Sequence, residues 1–447
     1  MDLTIKVDAK ENNRFLLAGL IIKILYDFEV ITMLPATYLG GMSHGLDFNH
    51  NKVIASYLIF LFVSEYTFVK LKERNDINSM LVTALYYLYF LPINSAYYIN
   101  NTSTLFLILT TIFWIIFVLL MLSEFRFNNK ELGKVNYELS KKNDKMLILF
   151  CLFISLSCIV YAYKFNGFNV SFNFSELYQI RQEYAGTSSI FESIIFNFGG
   201  SLMISITMLY SIMHKKIALT VVSIIAQIAT FTIAGEKSQF MIMFVVIVIC
   251  VISALGLINR INKLMPIGII LLMIMPLIDH YIFKRDIIFY IFIRRLFYIP
   301  SWMMAIYYDY FSSHKLLMWT QDVFLVDRLG IGRYDTSVLN IINRTYFHGL
   351  MPSPNAGMFA EAYMHWGILG VFLYPIVMAV ILNWLFKYVK CYSRELQVFV
   401  ALDVSLSMIS IPVTSGIFCV TYLLFIPFTM ILLRLEGTDN NELNVFT

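Results

Sequence analysis

Uncharged apolar runs long enough to cross a bilayer are the feature that most restricts what this chain can become. Ser238–Ile258, Met146–Tyr163 and Ile376–Phe386 each belong to a run with few or no charges, and a helix of about 20 such residues spans ~30 Å of hydrocarbon. The composition can supply many of them. Apolar residues make up 59% of the 447 and charged residues 14%, where a soluble domain has about 45–50% and about 25%. The runs are apolar on all sides, so they lack the two-residue alternation of a membrane barrel. The expected class is therefore all-α, a polytopic integral membrane protein.

Apolar runs bounded by polar punctuation predict about 12 transmembrane helices, near 15–38, 53–69, 78–98, 104–123, 146–163, 191–212, 217–233, 239–258, 264–280, 366–386, 397–415 and 417–433. Lys and Arg set their direction, because short cytoplasmic connections collect them. Twenty fall in the N-terminal segment, Lys70–Arg74, Arg126–Lys145, Lys215–Lys216, Arg260–Lys263, Lys387–Arg394 and Arg434; the short loops opposite hold four, Lys52, Lys164, Arg181 and Lys237. Both termini are expected to be cytoplasmic. The first 14 residues are hydrophilic and show no removable signal peptide. In span 1, Lys23 and Asp27 stand four apart and can face each other on a helix, which reads as a structural ion pair outside the active site.

No repeat or low-complexity linker divides the chain, so residues 1–447 read as one membrane domain, with 281–364 as a long external loop. The five cysteines have neither the spacing of a zinc site nor that of a disulfide framework, and a net charge of +4 suggests no nucleic-acid partner.

The external loop carries the unusual chemistry. It holds 19 aromatics in 84 residues, which suits both a membrane interface and stacking against sugar rings. Asp286–Phe311 reads as one or two amphipathic helices at the membrane surface, because adjacent Arg294 and Arg295 are costly in a straight crossing. Further along, Met351–Pro354 breaks any helix and Asn355 is placed to cap a new one running into span 10. On that helix Glu361 and His365 are four apart and share a face, with His348 just upstream. Six of the seven histidines, all but His214, fall on or near the outer side and are candidate proton acceptors. Arg181, Lys237, Lys284, Arg285, Arg294 and Arg295 are outward cations able to meet phosphate oxygens or lipid headgroups.

Four local patterns then carry a family resemblance. They are Arg181 after span 5; Gly235-Glu236-Lys237-Ser238 in a tight outer turn; Arg294–Arg295 followed by Tyr298-Ile299-Pro300; and Asn355 through Tyr363 leading into Gly367-Ile368-Leu369-Gly370. With this layout the chain resembles the Wzy-type oligosaccharide repeat-unit polymerases of O-antigen and capsule assembly. The resemblance covers most of the chain as a topology and implies a GT-C-like glycosyltransferase of the bacterial inner membrane, multi-pass, with its active site facing the periplasm. It implies transfer of a growing glycan from undecaprenyl pyrophosphate to the non-reducing-end sugar hydroxyl of another lipid-linked repeat unit, with no cofactor and no metal. No Asp-x-Asp pair occurs in the outer loops. The implied partners are undecaprenyl-pyrophosphate-linked oligosaccharides, membrane lipids and a chain-length regulator. Residue chemistry assigns Arg181, Lys237, Arg285, Arg294 and Arg295 to the pyrophosphates, and His348, Glu361 or His365 to the base. An O-antigen ligase and a lipid-linked oligosaccharide flippase or transporter are the alternatives.

Overall fold

The structure is a computed structural model that describes residues 2–34, 47–72, 74–123, 141–166, 202–234, 238–323, 326–349, 357–390, 392–415 and 418–423. Among them every regular element is helical. In chain order these are α1 (Asp2–Met33), α2 (His50–Leu71), α3 (Ile77–Leu85), a first π segment (Tyr86–Phe90), α4 (Leu91–Ile99), α5 (Thr104–Leu122), α6 (Lys141–Asn166), α7 (Ile204–Met213), α8 (Ile217–Ala234) and α9 (Ser238–Ala254). There follow α10 (Ile261–Tyr281), a second π segment (Phe289–Tyr298), α11 (Ile299–Ser313), α12 (Val338–Phe347), α13 (Met358–Val389), α14 (Arg394–Met408) and a short third π segment (Cys419–Leu423).

Local sequence explains where several of these begin. The side chains of Asn49, Asp76, Ser103 and Ser337 each accept a hydrogen bond from a backbone N–H in the first turn of α2, α3, α5 and α12, supplying partners that the helix itself cannot. The first π segment, Tyr-Tyr-Leu-Tyr-Phe, interrupts the expected span 78–98. A π turn inserts an extra residue and re-aims the side chains around it. Tyr86 is thereby within hydrogen-bond reach of Ser64, and Phe90 stacks on Trp114, whose indole donates to Thr67 at 3.1 Å.

The chain forms two compact units. In the first, which holds 1–125, 260–383 and 404–416, polarity is arranged as in a lipid-embedded bundle. α2 exposes Ile54, Leu58 and Phe62, spaced four apart on one stripe, and buries Ser56, Ser64 and Thr67 on the other side. The outward apolar stripe needs no protein partner if hydrocarbon covers it, whereas the inward hydroxyls need acceptors. They have them. Ser56 donates to Asn94 Oδ1 at 2.7 Å, Asn78 donates to the Met121 carbonyl at 2.9 Å and to Asn383 Oδ1 at 2.7 Å, and Asn262 donates to Ser79 at 2.9 Å. The expected Lys23–Asp27 pair is present at 3.6 Å.

The second unit holds 126–259, 384–403 and 417–447. Here α6 packs on α7 and α8, and α9 on the same two helices. Ser253 of α9 donates to Glu395 Oε1 of α14 at 2.6 Å, and Tyr422 donates to the buried Asp403 at 2.8 Å.

Four helices among the described residues are long and apolar enough to cross a membrane: His50–Leu71, Thr104–Leu122, Ile258–Tyr281 and Met358–Val389. The protein is thus a helical membrane protein. The expected spans near 191–212 and 417–433 fall partly outside the described residues. Elsewhere the 77–99 rod is divided by its π segment, and the apolar stretch of α1 is interrupted by Lys23, Asp27 and Glu29.

The long α13 is bent. Gly367 has φ 55° and ψ −134°, a conformation that only glycine adopts readily. The helix that runs into span 10 passes through an elbow. The bend presses Gly370 against the preceding turn, where a Cβ would collide with the Ala362 carbonyl oxygen and lie 2.8 Å from its carbon. Gly268 in α10 has no atom within 4 Å of the corresponding position. Gly370→Ala should therefore lower the melting temperature of the detergent-solubilised protein. Gly268→Ala should leave it level or raise it, by up to about 1 kcal/mol of helix propensity. Equal melting curves for the two variants would contradict the elbow.

Candidate functional site

Of the groups expected from the external loop, Arg294 and Arg295 lie on the π segment that runs into α11, and His348 and His365 belong to segments that pack on α11. At its N-terminal end it continues directly from the second π segment, which carries Arg294 and Arg295. That segment is fixed at its start: Asp279 Oδ2 accepts from the Ile288 N–H at 3.0 Å, and His280 Nδ1 lies 2.7 Å from Asp286 Oδ1. Successive residues on a helix diverge in direction, so the two arginines do not form a clamp on one face. Arg295 is exposed, while Arg294 is half-buried with its guanidinium 5.9 Å from the Tyr290 ring centre. Arg285, in the turn that precedes the segment, is exposed.

α12 packs beside α11 through two contacts. Phe347 meets Trp302 edge-on at 5.4 Å, and Tyr346 donates to Asp309 Oδ2 at 2.7 Å. Burial, then the hydrogen bond and charge of Asp309, push the Tyr346 hydroxyl above its ordinary range. His348 follows as the helix stop, with φ 50° and its N–H bonded to the Asn343 carbonyl. Left-handed backbone is unusual outside glycine, and the histidine occupies it as part of the C-terminal cap, leaving its ring exposed.

α13 reaches α11 from the other side. Tyr363 packs on Tyr308 at 4.8 Å. Gly357 lies so close to Met304 and to the Ile409 carbonyl that no Cβ fits there. One turn on, Glu361 is fully buried, and both carboxylate oxygens are engaged: Oε2 accepts from the Val413 N–H at 2.6 Å and Oε1 from the Thr414 N–H at 2.8 Å. Glu361 therefore fastens the turn after α14 to the start of α13. His365, equally buried, is its opposite, because neither ring nitrogen has a hydrogen-bond partner. Its ring lies parallel to that of Tyr374 at 6.0 Å.

Above this histidine sits a segment that sequence reading did not single out. Leu317 and Met318 donate their backbone N–H groups to the carbonyls of Met364 and His365, both at 2.9 Å. Trp319 donates its indole N–H to the Tyr374 hydroxyl and meets Trp366 edge-on. Met318, Trp319 and Asp322 all have positive φ, between 50° and 58°, costing of order 1–3 kcal/mol each. No glycine or asparagine marks these positions, so the turn had no signature to read.

Arg181, Lys237 and Asn355 lie outside the described residues. Among the described residues no group of three or more His, Cys, Asp or Glu side chains gathers as metal ligands would. The two acceptors on α13 should separate in a stability measurement. Glu361→Ala leaves the Val413 and Thr414 N–H groups without their acceptor, at about 0.5–1.5 kcal/mol or more per bond, and should lower the melting temperature by several degrees. His365→Phe removes no hydrogen bond and should melt near the wild type. A reversed order would contradict these roles.

In comparisons with known proteins, no family model, no curated protein and no solved structure matches the chain.

Proposed function

We propose that this protein is a polymerase of lipid-linked oligosaccharide repeat units, a metal-independent glycosyltransferase of about twelve spans and GT-C-like fold. It acts in the bacterial inner membrane with both termini cytoplasmic and its working face in the periplasm. The observation that carries this reading is the grouping about α11: arginines continuous with its start, His348 held beside it through Phe347, and the His365 helix packed on it through Tyr363. Glycan transfer from a lipid pyrophosphate needs that combination of parts. Cations stabilise the departing pyrophosphate, and one base takes the proton of the attacking sugar hydroxyl.

In this scheme the bond between the donor's anomeric carbon and the pyrophosphate oxygen breaks with its electron pair leaving on the pyrophosphate. The acceptor oxygen bonds to the same carbon, and its proton passes to the base. Arg285, Arg294 and Arg295 are the described candidates for meeting the leaving group, and Arg181 and Lys237 join them only as expectations from the sequence. His348 and His365 are favoured over Glu361 as the base, because the Glu361 oxygens already hold two backbone N–H groups. Exposed aromatics such as Trp319 suit the faces of sugar rings.

Deletion in the native host followed by gel analysis of surface glycan tests the reading. Single repeat units on the anchor support polymerisation. Polymer that is made but never anchored would mean a ligase, and lipid-linked units trapped inside would mean a flippase. Arg295→Gln should give the same single-unit pattern as the deletion, and a wild-type chain-length ladder would remove Arg295 from the pyrophosphate site. The purified enzyme should keep its activity in a chelator, and loss of turnover restored by magnesium would reject the metal-independent scheme.

A further inference from the structure

Among its described residues α1 buries a lysine and two acidic side chains, and only two of these three are accounted for. Lys23 Nζ donates to Ser95 Oγ at 2.6 Å, stands 3.6 Å from Asp27 Oδ2, and lies over the rings of Tyr57, Phe60 and Tyr98. Asp27 Oδ2 also accepts from the Tyr57 hydroxyl at 2.6 Å. Lys23 and Asp27 neutralise each other and are held by α2 and α4. Glu29 is excluded from this group by helix geometry, since two residues beyond Asp27 place it about 200° further round the helix.

Glu29 is fully buried, and neither of its oxygens has a hydrogen-bond partner. Its side of α1 is shared with Tyr26, three residues before, and Met33, four after. Tyr26 packs on Phe297 at 6.1 Å, and the Met33 carbonyl accepts from Tyr290 at 3.5 Å. Both contacts are to the second π segment, the element that bears Arg294 and Arg295. The ionisable groups on the packed elements are His50, Lys52, Tyr57, Glu65, Tyr66 and Lys70 on α2, Tyr97 and Tyr98 on α4, Lys263, Asp279, His280 and Tyr281 on α10, and Tyr290, Arg294, Arg295 and Tyr298 on the π segment. None of them makes a hydrogen bond to either Glu29 oxygen.

We propose that Glu29 is a proton-binding site inside the membrane domain, carrying one proton as an uncharged carboxyl, and that loss of this proton loosens α1 from the arginine-bearing π segment. A bare carboxylate at this position is fully buried and has no hydrogen-bond donor among the described residues to stabilise it. A divalent metal ion would call for about six oxygen ligands, and the other unpartnered buried carboxylate oxygen among the described residues of α1, Asp27 Oδ1, lies on a different side of the helix. A proton needs no further ligand. The site does not depend on what the protein transfers, so it stands or falls separately from the glycan reading.

Infrared spectroscopy of the full-length protein in detergent tests this without any access route to the buried group. The wild type should show the carbonyl stretch of a protonated carboxylic acid at neutral pH, lost on going to alkaline pH and missing from Glu29→Gln. Should the glutamine variant fail to fold, Glu29→Asp serves in its place, with the band moved in frequency. No such band, or a band unchanged by either substitution, overturns the proposal. A band abolished by sodium at constant pH overturns it in favour of a metal cation. Melting temperature against pH gives a second reading. A folded state that holds the proton more tightly than the unfolded chain loses stability as pH rises above the ordinary carboxyl range of about 4.3. The wild type should therefore melt progressively lower from mild acid to alkaline pH while Glu29→Gln changes less, and parallel curves would overturn the assignment.

Discussion

Hydrogen bonds between helices, made where no water can substitute for them, are the constraint on which this fold depends. Asn78 holds the Met121 carbonyl and Asn383, Ser56 holds Asn94, and Lys23 holds Ser95. Between helices in a bilayer the hydrophobic effect gives little net attraction, because lipid tails are as apolar as leucine. Close packing and polar contacts must do most of the joining. Each such bond contributes only about 0.6 kcal/mol on average, so the bundle requires many of them, and the buried polar residues of α2, α3 and α4 supply several. The outward stripe of α2 is released to meet hydrocarbon.

The same constraint gives meaning to the groups that break it. His365 and Glu29 are fully buried, and no hydrogen bond reaches the His365 nitrogens or the Glu29 oxygens. A stable fold satisfies its interior polar atoms with few exceptions. His365 and Glu29 are two of several buried side chains with an unpartnered polar atom, Tyr87 and Tyr89 being others, and each of the two lies on a helix that packs against α11 or the π segment leading into it. Glu361 illustrates the contrary case. It looks as chemically useful as His365 in the sequence, but its carboxylate is a structural tie between two segments.

Much of the site was legible as chemistry and little of it as geometry. Spacing alone put Lys23 opposite Asp27 and Glu361 on one face with His365, because both are repeats of the helical turn. Spacing said nothing of Val413 and Thr414, which are distant in the chain and present only backbone N–H groups to Glu361. Nor did it reveal the segment at Leu317–Trp319, whose left-handed residues are bulky and carry no turn signature. The elbow at Gly367 was half visible. A glycine stood at the right place, but its φ of 55° is decided by what the helix on either side must contact.

Sequence by itself determined that the chain is helical and membrane-bound, since apolar runs without charge have no other stable solution in water or lipid. It also selected the residue types able to hold phosphate or accept a proton. Tertiary structure decided which of those groups are free to act. Whether a carboxylate or imidazole has a partner depends on atoms brought in from other helices, and local periodicity carries no information about them.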